Sequence, residues 1–251
     1  MQSDMESVVE SLTGTSIDII PFLDYLLQDL WELGTDVHHV TAMFRTYLPL
    51  PYAKRSVLDL GCGKGAVSIF LANELGCKID GFDVFPAFID HCKNKCIEYS
   101  VVEQCSFAVQ DIRQVLERNQ RYDAVVYGGV GNLYGDIGTM LCKLKQAVVP
   151  SGLLYLDESY QDTGIDYLSY EAWLSEFQAH NLTVIETYEP SLDEISTINR
   201  ENQRKIEERG AQLIDRNPDI ASLIEEYIES QRQECIELET DVKPICWLLR
   251  S

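Results

Sequence analysis

The chain has 251 residues, 45% of them hydrophobic and 24% charged, proportions that allow one large domain with a sizeable core and exclude extensive disorder. Acidic side chains number 41 against 20 basic ones, and the resulting charge of −21 repels phosphate backbones and anionic membranes, which argues against nucleic-acid and membrane partners. The cysteines lack close CxxC pairs and no signal-peptide pattern is read, which fits reduced thiols in a cytoplasmic protein; Cys92 and Cys96 share a helix face, but two ligands fall short of structural zinc, so no metal is expected.

Residues 17–31 are the most apolar stretch near the start, yet Asp18, Asp24, Gln28 and Asp29 interrupt them too often for a bilayer span. Phe22, Leu23, Leu26, Leu27, Leu30 and Trp31 recur at helical spacing with Pro21 in the first turn, and a second short helix is read over residues 36–47. From residue 56 the pattern becomes strand (57–60), glycine turn (61–65) and helix (66–75), which Gly76 ends. Strand 78–82, helix 86–99, strand 105–109, strand 123–127 and helix 137–149 follow; Pro150-Ser151-Gly152 then turns into strand 153–156. Helix 170–179, strand 182–187 and a last strand over 242–249 complete the order. The charged stretch 189–240, in which Asn217-Pro218 suits an N-cap and first helical position, reads as a helical insertion between the final two strands. Sustained βα alternation at this spacing predicts an α/β fold with a largely parallel sheet.

The strongest local signal is Asp59-Leu60-Gly61-Cys62-Gly63-Lys64-Gly65, where a strand ends in glycines that permit a tight turn and close approach of a ligand to bare backbone. A helix N-terminus follows, which favours anions, but Asp59 just ahead of the first glycine suits an ammonium-bearing ligand better than a pyrophosphate. Asp83 ends the second strand, where a carboxylate can accept from both hydroxyls of a ribose, and Asp111 follows the third.

This motif resembles that of the class I S-adenosylmethionine-dependent methyltransferases, and the resemblance runs from about residue 56 to residue 188. It implies one methyltransferase domain over residues 1–251, Rossmann-like and doubly wound, with a mostly parallel seven-stranded sheet and an antiparallel last strand. Residues 1–50 would form an N-terminal helical lid and residues 189–240 the insertion. The implied cofactor is S-adenosylmethionine, with S-adenosylhomocysteine as product. Its implied site is Asp59, Gly61, Cys62 and Gly63 in the turn, Asp83 and Val84 at the ribose, Asp111 and Ile112 at the adenine, and Gly128 beside the methionine portion. Gly131-Asn132-Leu133-Tyr134 would continue toward the substrate.

Methyl transfer from a sulfonium is a direct displacement that needs alignment and exclusion of water rather than a protein nucleophile. Tyr134, Asp157, Glu158, Tyr160 and His39 are candidates for the acceptor side, any of which could serve as base if the acceptor must lose a proton. The acidity and the absence of an appended recognition domain favour a small-molecule acceptor, and a homodimer stays open. Three alternatives remain at this level. Gly61, Gly63 and Ala66 also satisfy a loose nicotinamide pattern; the same fold can move an aminopropyl group; and a regulatory protein can bind the cofactor without turnover.

Overall fold

A computed structural model describes residue 9, residues 12–131 and residues 133–251. Asn132 and part of the N-terminal stretch assigned to the lid therefore lie outside the described residues.

Helices α1 (Ile20–Leu26) and α2 (Val37–Tyr47) precede the first strand, β1 (Ser56–Leu60). Then come α3 (Ala66–Leu75), β2 (Lys78–Asp83), α4 (Pro86–Glu98), β3 (Cys105–Val109), α5 (Ile112–Leu116), β4 (Tyr122–Gly128) and α6 (Ile137–Gln146). The chain continues through β5 (Val148–Tyr160), α7 (Tyr170–Ala179), β6 (Thr183–Tyr188), α8 (Leu192–Arg216), α9 (Ala221–Thr240) and β7 (Lys243–Arg250). All seven strands form one sheet in the order β3-β2-β1-β4-β5-β7-β6. The first five are parallel, whereas β7 runs antiparallel to both β5 and β6. The fold is the doubly wound arrangement expected, with its antiparallel last strand.

Three boundaries differ from the sequence reading. The first helix, read at helical spacing as far as Trp31, ends at Leu26, and Leu27, Leu30 and Trp31 lie beyond it. The helix expected over residues 137–149 stops at Gln146, because β-branched Val148 and Val149 ahead of Pro150 favour extended backbone, and Val148 already pairs with Tyr122. Residues 150–152, read as a turn, accordingly lie within β5, which pairs with β7 as far as Tyr160. The short helix α5 was not anticipated; Asp111 is its N-cap.

Side chains alternate across the sheet with period two, so each strand feeds two cores. Leu58, Val125, Leu154 and Trp247 pack on one face against Met140, Leu144, Trp173 and Phe177 from α6 and α7. Val57, Ala124, Tyr155 and Leu248 pack on the other against Val40, Phe44, Ile69 and Leu71 from α2 and α3. Helix α3 is buried nearly all round, as expected for a helix apolar on every side.

A third cluster lies beyond the strand ends. Leu23, Leu26, Leu27 and Leu30 meet Phe85 and Phe88 after β2, and Ile206, Ile224 and Tyr227 from the α8–α9 hairpin. The hairpin begins with a capping box at Ser191 and Glu194, a signal visible in the sequence, and Arg209 ion-pairs with Asp29 to tie it to the N-terminal region. The same roof therefore joins both segments expected to flank the site.

Candidate functional site

The parallel strands end at one edge, and there β1 delivers Asp59 and the glycine turn. Gly61, in the left-handed region at φ 69°, reverses the chain. The amides of Gly61 and Cys62 donate to the Phe82 carbonyl at 2.9 and 3.0 Å, which locks the turn against the end of β2.

Asp83 closes the lock from the side-chain side. Its Oδ2 accepts from the Gly63 amide and its Oδ1 from the Phe85 amide, both at 2.9 Å. Burial raises its pKa, and those amide hydrogen bonds oppose the rise. Each oxygen keeps a lone pair for a further donor, so the carboxylate can hold the turn and still accept from ligand hydroxyls.

Asp59 is buried and forms no ion pair among the described residues, and its Oδ2 accepts from the Ser68 hydroxyl at 2.6 Å. Burial pushes its pKa up to about 6; the Ser68 hydrogen bond works against the shift and the charge of Asp83 adds to it. A buried carboxylate in this state has a place for a positive partner.

The residues expected to bind a cofactor come together. Asp59, Gly61, Cys62, Gly63, Asp83, Val84, Asp111, Ile112 and Gly128 all line one cleft of about 1110 Å³, a volume that includes its open mouth. Asp111 does more than foreseen: its Oδ1 accepts from the Arg113 amide at 2.8 Å as the N-cap of α5, and its carboxylate pairs with the Arg113 guanidinium at 2.6 Å.

Residues beyond the expected cofactor set complete the walls. Trp31, Leu33 and Thr35, from the link between α1 and α2, line the cleft, as do Lys64, Phe85, Phe88, Val130 and Leu133. Thr35 is buried against Gly128 so closely that a Cβ there would stand 2.3 Å from its Oγ1. No periodicity marks the 31–35 link; only the fold brings it over the turn.

The acceptor-side candidates are dispersed around this edge and none of the five lines the cleft. Asp157 lies behind Thr35 and takes a hydrogen bond from it; burial raises its pKa. Glu158 follows on the opposite face of β5, its carboxyl pushed up to about 8 by burial and by the charge of Asp157. Tyr160 donates to Glu189 at 3.1 Å. His39 pairs with Asp36 at 2.9 Å and stacks on Tyr188. The Tyr134 hydroxyl is buried with no partner among the described residues.

Comparison with known proteins converges on the same segment. Residues 57–152 match the family model described as "Methyltransferase domain". Among curated relatives, the malonyl-[acyl-carrier protein] O-methyltransferase of Acetivibrio thermocellus is 29% identical over 41% of this chain and 35% of that protein. The ubiquinone biosynthesis O-methyltransferase of a Methylobacterium species is 32% identical over 43% of this chain and 42% of that protein. The chain thus spans less than half the length of these two curated relatives. Among solved structures, a SAM-dependent methyltransferase from Thiobacillus denitrificans in complex with S-adenosyl-L-homocysteine superposes with a TM-score of 0.74 at 17% identity, covering 91% of this chain and 97% of that one, a likeness of fold. Residues 57–152 thus match a methyltransferase domain, and the chain is similar there to the class I S-adenosylmethionine-dependent methyltransferases that its glycine turn resembles.

Proposed function

We propose that this chain transfers a methyl group from S-adenosylmethionine to a small-molecule acceptor in the cytoplasm, leaving S-adenosylhomocysteine. The observation that carries the reading is the pair of buried carboxylates, Asp59 and Asp83, set around a turn whose Gly63 amide Asp83 itself holds. The residues fit the cofactor. Asp59 offers a carboxylate to the amino-acid ammonium, Asp83 offers lone pairs to the ribose hydroxyls, and Val84, Asp111 and Ile112 stand where the adenine would lie. A bound sulfonium supplies an electrophilic methyl group.

The chain's own part is to orient and to dry the site. Leu33, Phe85, Phe88, Val130 and Leu133 give the cleft apolar walls that exclude water from a displacement. The match to the family model ends at residue 152, so the acceptor reading rests on this chain's N-terminal helices and insertion, which would serve as lid and chamber wall. None of the five acceptor-side candidates lines the cleft, so the reading assigns no base. Among the described residues no helix is long and apolar enough to cross a membrane.

Calorimetric titration with S-adenosylmethionine, S-adenosylhomocysteine and NAD tests the reading directly. Binding of both sulfur compounds and not NAD is expected; binding of NAD alone would overturn it and make Asp59 the misread residue.

The affinity is also expected to depend on pH in a stated direction. Asp59 in the free protein titrates at about 6, and an ammonium beside it favours the ionised form and lowers that value in the complex. Binding therefore expels a proton at low pH, so affinity is full above about pH 7 and falls, by at most about tenfold per unit, as pH drops through 6. Titrations at pH 5 and pH 8 read the drop, and Asp59→Asn should flatten it; an equal drop in that variant would assign it to another group.

A further inference from the structure

The motif residue Lys64 lines the cleft, and its side chain reaches from the turn to the N-terminal segment above it. Its side chain is only 2% exposed, although it carries an ammonium. The Nζ donates to the Leu27 carbonyl and, at 2.9 Å, to the Leu30 carbonyl, just past the C-terminal end of α1. Leu27 is the C-cap of α1 and its carbonyl also accepts from the Leu30 amide at 2.9 Å, so the ammonium gathers the chain where it leaves the helix. The tie is reciprocal: Trp31 Nε1 donates to the Lys64 carbonyl at 3.1 Å. No carboxylate forms an ion pair with Lys64 among the described residues, so the ammonium is held by backbone and by the ring of Phe88, 5.6 Å away.

The strap held in this way, residues 27–35, is also a wall of the cleft. Leu33 Cδ1 lies 3.2 Å from where a Cβ on Gly63 would stand, and Thr35 packs on Gly128 at the far side. A ligand seated on the turn therefore touches both the turn and the strap, and it binds the docked strap better than an undocked one. Two sites that favour the same state strengthen each other equally.

We propose that Lys64 is a positioning residue that couples the cofactor turn to the N-terminal strap, so that strap docking and cofactor binding reinforce each other. The proposal rests on the cofactor reading above and adds to it a link from the turn to the segment over it.

Hydrogen exchange of the full chain with and without S-adenosylhomocysteine, together with its titration, tests the coupling. In the unsubstituted protein, ligand is expected to slow exchange of amides in residues 20–35 about tenfold or more. Lys64→Met is expected to speed exchange there in the free protein and to weaken S-adenosylhomocysteine about tenfold or more, since hydrogen bonds to a charged donor are lost. Trp31→Phe, which removes one hydrogen bond, should move both readouts the same way by less. Ligand binding with unchanged exchange in residues 20–35, or a Lys64→Met protein that binds like the original, overturns the coupling alone. Failure of the unsubstituted protein to bind overturns the cofactor reading and the coupling together. Should Lys64→Met not fold, Trp31→Phe carries the test: exchange in residues 20–35 and affinity both unchanged in that variant overturn the coupling.

Discussion

Replacing Asp83 by alanine is expected to abolish measurable S-adenosylhomocysteine binding and to destabilise the protein by about 2–4 kcal/mol. The carboxylate is buried and accepts from the amides of Gly63 and Phe85, both at 2.9 Å. Alanine leaves both donors without an acceptor, and each such group costs about 1–3 kcal/mol, partly relieved because the buried charge disappears too. Binding suffers twice, through lost acceptors for ribose and through a Gly63 amide no longer held in place. Asp83→Asn keeps one carbonyl oxygen and should recover part of the stability while still binding weakly. Thermal unfolding and calorimetry together check this, and an alanine variant that binds within tenfold of the original would place the ribose elsewhere.

Asp83 stands at the end of β2, as read, and shows where the sequence was legible. Elements whose ends carry a capping or turn residue are found at the positions read: α3 ends at Leu75 before the left-handed Gly76, α7 starts at Tyr170 after the N-cap Ser169, and β3 spans Cys105–Val109. Errors arose where two signals overlapped. Residues 147–149 continue a helical period, yet the valines join the sheet. The polar run Asp157-Glu158-Ser159 hides the end of a strand that exists because β7 lies beside it. The residues expected to hold a cofactor fall in one cleft because they follow strand ends at fixed spacing. Thr35, Leu33 and Trp31 were not expected there, since they lie in an irregular link whose place is set by Lys64, Gly128 and the sheet edge. Lys64 itself stood inside the motif, but nothing in its neighbours announced that it reaches Leu27 and Leu30.

Backbone strain and blocked space can be separated at two glycines. Gly61 and Gly76 have φ of 69° and 75°, so a side chain at either costs about 1–2 kcal/mol of conformational strain. Their surroundings differ. A Cβ on Gly61 would stand 2.7 Å from Val130 Cγ2, while one on Gly76 would meet nothing within 4 Å. Gly61 cannot retreat, because its amide is tied to the Phe82 carbonyl at 2.9 Å, and Val130 is itself buried beside the cleft. Gly61→Val should therefore push the loop after β4 out of place and lower S-adenosylhomocysteine affinity at least about a hundredfold, roughly 2.7 kcal/mol. Gly76→Ala should lose about 1 kcal/mol of stability and leave affinity within about twofold. If both variants bind normally while both are destabilised, the turn is a structural feature and the cofactor sits elsewhere on the sheet edge. If only Gly61→Val loses binding, obstruction rather than strain is the cause, and the first glycine of the turn is fixed as part of the cofactor's seat.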